Sequence, residues 1–217
     1  KNMVIIGGGY IGLEVAAVAK TLGLNVTVLE MASRILERVT SPTISSFYNS
    51  FHESRGVKIL TNTLVQGING DNRVSSVETS SGSIEADIVI VGIGVLPCQA
   101  LAEDAGIKVD NGIVVDEFCK TSDDYIFSAG DCTFHPSHFY NKNIRLESVH
   151  NAIEQGKTVA SSIIGEKVSY NQIPWFWSDQ YELKLQIAGL NNDYDEYVIR
   201  GNLDENSFSV FYFKSGY

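Results

Sequence analysis

Four short runs of apolar residues, Met3–Ile6, Val26–Leu29, Val57–Leu60 and Ile88–Val91, have the length and composition of strands buried in a parallel sheet. Between the first two, Glu14-Val15-Ala16-Ala17-Val18-Ala19 reads as a helix whose alanines allow close packing. A second helix starts at Thr40-Ser41-Pro42, with an N-cap followed by proline at the first helical position. It runs to about Arg55, where Gly56 stops it. From Thr63 to Glu85 the period changes. Val65, Ile68, Val74, Val77 and Ile84 recur between turns at Asn69-Gly70-Asp71-Asn72 and Ser80-Ser81-Gly82, the pattern of a small antiparallel meander.

Further on, the pattern predicts a short helix over Ala100–Ala105 and a short strand over Gly112–Asp116. Thr121–Asp131 reads as a turn and a strand ending in Gly130-Asp131, the carboxyl end of a strand being where α/β proteins place ligand contacts. Residues 132–144 read as a polar loop. A helix follows from Ala152 to about Ile164, closed by Gly165. Beyond Tyr170 the chain turns aromatic and alternating, through Trp175, Phe176, Trp177, Leu183–Ile187, Tyr197–Arg200 and Phe208–Phe213. This predicts an antiparallel sheet that is not finished.

The turn after the first strand carries chemistry. Gly7-Gly8-Gly9-Tyr10-Ile11-Gly12 matches G-x-G-x-x-G in the setting the motif requires, after a strand and opening a helix. Gly7 permits the tight turn, Gly9 lets the backbone approach a pyrophosphate, and Gly12 lets the helix pack on the strand. Glu30, at the end of the second strand, stands where an acid takes the ribose hydroxyls of NAD. A carboxylate there repels a 2′-phosphate, so NADH is favoured over NADPH. Arg34 and Arg38, just beyond, either reach the pyrophosphate or are ordinary solvated charges.

Composition narrows the class. The 217 residues are 44% hydrophobic and 19% charged, as in soluble globular proteins, and the formal net charge of −10 argues against nucleic acid or an anionic membrane as the main partner. The best apolar run, Ile88–Pro97, is too short to span a membrane. Three cysteines, Cys98, Cys119 and Cys132, are widely spaced without a C-x-x-C pair. With no targeting signal in view, a reducing cytoplasm is the expected compartment. Cys132-x-x-His135-x-x-His138 has metal-ligand types but no fourth partner, and reads as a polar loop with no metal. Lys1 lies directly before a strand, without an initiator methionine, and Tyr217 directly after a strand-like run. The chain is therefore expected to be a piece of a longer protein.

Taken together, VIIGGGYIGLEVAA, ADIVIVGIGVLP, TSDDYIFSAGD and RLESVHNAIEQGKTVA, with PWFWSDQY after it, resemble the FAD-dependent pyridine-nucleotide oxidoreductases. The closest likeness is to the ferredoxin and rubredoxin reductases of the putidaredoxin reductase type. The resemblance covers nearly the whole chain but lacks the family's amino-terminal FAD half. It implies an α/β architecture in three parts. Residues 1–118 would form a Rossmann-like NAD-binding domain with a parallel sheet and a small antiparallel meander. Residues 119–170 would be the second segment of the FAD-binding domain, and 171–217 the start of an α+β carboxy-terminal domain.

The same resemblance implies roles. Glu14 and Glu147 would approach the nicotinamide carboxamide. Asp131, after Gly130, would hydrogen-bond the FAD ribitol. Val149, His150 and Asn151 would turn backbone N–H groups toward the flavin's pyrimidine edge. Trp175 and Trp177 would lie close to the isoalloxazine, with Trp177 the preferred contact, and Gly92 and Gly94 would let the backbone pass beneath the dinucleotide. Aromatic core packing for the tryptophans and helix-start acids for the glutamates are the plainer alternatives.

The function so implied is an NADH-dependent flavoprotein passing electrons through FAD to a ferredoxin or rubredoxin, with a homodimer possible. The chain by itself is expected to lack flavin and to be inactive. Two other readings share the cofactor motifs. One is an NADH-sensing flavoprotein of the apoptosis-inducing-factor type, acting through a protein interaction. The other is a related NADH oxidase or disulfide reductase, whose dithiol is absent from these residues.

Overall fold

The structure is a computed structural model that describes residues 1–191 and 193–216. Its secondary elements are, in order, β1 (Asn2–Ile6), α1 (Tyr10–Thr21), β2 (Asn25–Leu29), α2 (Pro42–Ser54), β3 (Lys58–Leu60), β4 (Val65–Asn69), β5 (Ser76–Thr79), β6 (Gly82–Glu85), β7 (Ile88–Val91), α3 (Ala100–Asp104), β8 (Val109–Asp110), β9 (Gly112–Val114), β10 (Thr133–Ser137), β11 (Lys142–Ile144), α4 (Val149–Ile163), β12 (Trp175–Gln180), β13 (Leu183–Ala188), β14 (Glu196–Asn202) and β15 (Ser207–Phe213). The chain divides into two compact units. One comprises Lys1–Gly94, Ser178–Leu185 and Asn191–Tyr217; the other comprises Val95–Trp177 and Gln186–Leu190.

The first unit is built on a parallel sheet in the order β3-β2-β1-β7. Alternation along the strands sorts its two faces. Ile5, Val26 and Val28 pack against Ala16 and Ala19 of α1, whose small side chains bring helix and sheet together. Val4 and Leu29 point the other way and pack with Val77 of the β4-β5-β6 meander and with Ala86 just after it. Pro42 opens α2 after Ser41. At its end the Gly56 N–H donates to Glu53 O and the Val57 N–H to His52 O, the reciprocal pair that closes a helix on glycine. A third cluster joins Leu13, Ile35, Tyr48 and Phe51 to Leu183 of β13. The β14–β15 hairpin is pinned to α2 by Phe208 against Phe47 and by a 2.7 Å hydrogen bond between Tyr212 and Ser41.

The second unit carries a four-stranded sheet in the order β11-β10-β9-β8, with α3 and α4. Here the structure corrects the sequence expectations in three places. Residues 132–144 are mostly a β-hairpin, β10–β11, and not a loop. Its inward residues Thr133 and His135 are polar yet fully buried, so the segment shows no apolar alternation. The strand expected before Gly130 is reduced to one bridge between Lys120 and Phe127. Thr121 Oγ1 accepts from the Asp123 N–H and donates to Ile126 O, folding that stretch into a turn. Helix α4 begins at Val149, three positions before Ala152, because Ser148 caps it.

Two further differences concern exposure and pairing. Strand β7 is only partly buried and Val91 is 56% exposed, since β7 is an edge strand of its sheet among the described residues. The aromatic carboxy-terminal strands form two separate two-stranded ladders, β12–β13 and β14–β15, where one sheet was expected.

Candidate functional site

The glycine turn between β1 and α1 is built by close backbone approach. Gly7 has φ +110°, and a Cβ there would lie 2.3 Å from Gly92 O. A Cβ on Gly12 would lie 2.1 Å from Gly7 O. Both positions therefore exclude any side chain. Gly9, by contrast, has ordinary extended geometry and nothing within 4 Å of where its Cβ would be. The first intrahelical bond of α1 runs from Leu13 N–H to Gly9 O, which leaves the N–H groups of Tyr10, Ile11 and Gly12 without an intrahelical acceptor. An open glycine backed by free amides at a helix start is a cradle for phosphate. Ile11 is exposed at this helix start, while Tyr10 is half-buried, and burial pushes the pKa of its hydroxyl well above the ordinary tyrosine value.

Glu30 sits at the rim of this turn. Its carboxylate accepts from the Gly8 N–H at 2.7 Å through Oε2 and from the Ala32 N–H at 2.8 Å through Oε1. Each oxygen retains a lone pair for a diol. Arg38 is exposed, and its Nη2 lies 3.5 Å from the point a Gly94 Cβ would occupy, which leaves a positive charge beside the glycine turns. Arg34 fits neither sequence expectation. Its guanidinium donates to Thr40 O, Ser45 Oγ and Glu37 O, so it braces the strap between β2 and α2. The structure thus brings Gly7, Gly9, Gly12, Gly92, Gly94, Glu30 and Arg38 together. Glu14, one turn into α1, accepts a 2.5 Å hydrogen bond from Ser178 Oγ, and Ser178 in turn accepts from Gln180 Nε2 at 3.0 Å.

In the second unit, Gly130 takes φ +89° and its N–H donates to Gln155 Oε1 at 2.7 Å. Thr133 Oγ1 donates to the same oxygen at 2.8 Å, and Gln155 Nε2 lies 3.1 Å from His135 Nδ1. Burial pushes His135 down to about 4, so it accepts as a neutral ring. This core network fixes the Gly130 turn and leaves the Asp131 side chain exposed at its crest. Arg145 ties the neighbouring pieces together, donating to Asp131 O at 3.4 Å and pairing with Glu147 at 2.5 Å. The Asn151 N–H is taken by Ser148 Oγ, so of the three helix-start amides only those of Val149 and His150 are left without an acceptor among the described residues.

Trp175 and Trp177 occupy one face of β12, 36% and 49% exposed, while Phe176, Ser178 and Gln180 occupy the other. Neither tryptophan makes an aromatic pair among the described residues, so core packing does not account for them. His138 lies 3.5 Å from Glu117 and His135 is bonded to Gln155, and no group of three metal-ligating side chains forms among the described residues.

Sequence reading missed Ser178, Gln180, His52, Gln155 and Arg145. For the first four the only trace is polar side chains at inward positions of β12, α2 and α4, which periodicity alone assigns to solvent, and Arg145 lies in the connection between β11 and α4.

The comparisons agree with this architecture. Residues 1–156 match the family model described as pyridine nucleotide-disulphide oxidoreductase, and residues 175–217 match that described as reductase C-terminal. The chain belongs to the pyridine nucleotide-disulphide oxidoreductase family, whose members depend on FAD and NAD(H). It is 46% identical to putidaredoxin reductase CamA of Pseudomonas putida over 215 residues, 97% of this chain and 51% of that protein. It is 40% identical to the rubredoxin-NAD(+) reductase of Pseudomonas putida, over 98% of this chain and 56% of that protein. The solved ferredoxin reductase for the CYP199A2 system from Rhodopseudomonas palustris superposes with a TM-score of 0.96 at 41% identity, over 99% of this chain and 54% of that one. The chain spans about half the length of the curated relatives it matches. No helix among the described residues is long and apolar enough to cross a membrane.

Proposed function

We propose that this chain is the nucleotide-binding and carboxy-terminal portion of a cytoplasmic, NADH-dependent FAD reductase that delivers electrons to a ferredoxin or rubredoxin, and that the complete protein can act as a homodimer. The observation that carries the reading is the open cradle at Gly9, closed below by Gly7, Gly12 and Gly92 and rimmed by the Glu30 carboxylate. In this reading residues 1–118 bind NADH, 119–170 complete the FAD domain, and 171–217 begin the interface domain.

Each residue then has a task. The free amides of α1 and the Arg38 guanidinium neutralise the pyrophosphate, and Glu30 accepts from the ribose hydroxyls. Glu14 and Glu147 orient the nicotinamide through its carboxamide. Asp131 holds the ribitol, and the Val149 and His150 amides supply donors at the start of α4. Trp175 and Trp177 cover the ring and exclude water from it. When bound, FAD supplies the exchange of a two-electron donor for single-electron delivery, chemistry the protein side chains cannot provide. A disulfide-reductase reading lacks support in these residues, because no two of Cys98, Cys119 and Cys132 stand at the spacing of a redox dithiol.

Steady-state turnover by the complete protein tests the proposal. With NADH as donor, ferredoxin or rubredoxin should be reduced far faster than oxygen or a disulfide substrate. Fast consumption of NADH with oxygen alone, or slow reduction of every acceptor with a persistent NADH complex, would refute it in favour of an oxidase or a sensor.

A further inference from the structure

A chain of buried hydrogen bonds crosses the first unit and ends on Glu14. His52 Nε2 lies 2.8 Å from Gln180 Oε1, Gln180 Nε2 donates to Ser178 Oγ at 3.0 Å, and Ser178 Oγ donates to Glu14 Oε1 at 2.5 Å. His52 and Gln180 are 0% exposed and Ser178 is 1% exposed, so water does not compete. The polarity of the chain follows from its end. A carboxylate can only accept, so Ser178 must donate to it. Ser178 therefore accepts from the amide nitrogen of Gln180, whose oxygen then faces His52. The imidazole must carry its proton on Nε2. His52 Nδ1 has no partner among the described residues, which suits a bare acceptor nitrogen better than a buried N–H. Burial also pushes His52 below the ordinary histidine range. Oε2 of Glu14 has no hydrogen bond among the described residues and is left for a ligand.

We infer that Ser178, Gln180 and His52 are positioning residues that hold the Glu14 carboxylate in one orientation, with Oε1 engaged and Oε2 presented to the nicotinamide end of the dinucleotide. The three lie on β12 and α2, far from Glu14 in sequence, and none touches the glycine turn. The inference rests on the reading of residues 1–118 as the NADH domain. Its physical basis is that a glutamate at a helix surface has several rotamers, and a donor chain with fixed direction selects one before the ligand arrives.

The test uses the complete, flavin-loaded protein and two probes, NAD+ and ADP-ribose, the second lacking the nicotinamide. Ser178→Ala and Gln180→Leu should weaken NAD+ about five- to tenfold, the scale of one lost hydrogen bond, and leave ADP-ribose within about twofold. Ser178→Thr, which restores the hydroxyl, should restore NAD+. In a Glu14→Ala background, Ser178→Ala should change nothing further. Equal losses for both probes, no loss for NAD+, or full additivity with Glu14→Ala would overturn the inference. If the unsubstituted protein bound neither probe, the NADH reading itself would fail.

A measurement on the unsubstituted protein stands apart from any folding defect. Nitrogen-15 histidine NMR near neutral pH should find His52 neutral with its proton on Nε2. A proton on Nδ1 would reverse the chain and overturn the inference.

Discussion

The carboxylate of Glu30 accepts a 2.7 Å hydrogen bond from the backbone N–H of Gly8, tying the end of β2 to the glycine turn. The acid expected to choose the cofactor thus also shapes the turn that holds it. Removing its charge should narrow the preference for NADH over NADPH in kcat/KM by about fivefold or more, since a carboxylate beside a 2′-phosphate costs on the order of 1 kcal/mol even in water. Glu30→Gln keeps an acceptor and isolates the charge, while Glu30→Ala removes both. An unchanged NADH/NADPH ratio in both variants would contradict the role.

Gly9 and Gly12 should part company on substitution. A Cβ at Gly9 meets nothing within 4 Å, whereas one at Gly12 falls 2.1 Å from Gly7 O. Gly9→Ala should keep the thermal midpoint nearly unchanged and weaken NADH by about tenfold or more, because the methyl occupies the pyrophosphate's approach. Gly12→Ala should lose about 1–3 kcal/mol of stability from overpacking. Denaturation curves and NADH titrations of the two variants check this, and equal stability losses would contradict it.

What the sequence made legible was backbone-limited. Gly7, Gly9 and Gly12 are readable because only glycine fits where a strand, a turn and a helix meet within a few ångströms, and the run before them has no other stable use than a buried strand. What stayed hidden was polar and buried. Thr133, His135 and Gln155 look like loop and surface residues until the hairpin and α4 bring their hydrogen-bonding groups together. Ser178 and Gln180 look solvent-facing beside two tryptophans, although the alternation of β12 puts the tryptophans outside and the polar pair inside. Arg34 was misread because its acceptors, Thr40 O and Ser45 Oγ, exist only once α2 is capped.

His135 gives a pH dependence of stability. The unfolded chain takes up its proton near the ordinary value of 6.5, the folded chain only near 4. The stabilising difference is complete above the unfolded value and is lost as pH falls through that window. It amounts to about 1–3 kcal/mol, and the lowered His52 acts in the same direction. The urea midpoint should therefore drop between about pH 7 and about pH 5, and His135→Gln should flatten that drop. An equal drop in the variant would show that His135 is not its source.

The cysteines should be dispensable for electron transfer. Cys119 is fully buried and burial pushes its thiol up to about 12, while Cys98 and Cys132 are unpaired. A protein with Cys98→Ser, Cys119→Ala and Cys132→Ser should reduce its acceptor within about threefold of the parent rate, as expected when no thiolate takes part. Complete loss of acceptor reduction, with flavin still bound and reducible by NADH, would overturn this.

The most direct test of the account is an anaerobic rapid-mixing experiment on the complete protein. Flavin absorbance is followed as NADH is added, and then as ferredoxin or rubredoxin is added. The account predicts bleaching by NADH faster than by NADPH, with recovery on adding the acceptor at a rate that matches steady-state turnover, on the order of 1 per second or faster. Flavin that bleaches with NADH but does not recover with any iron–sulfur or rubredoxin acceptor would contradict it.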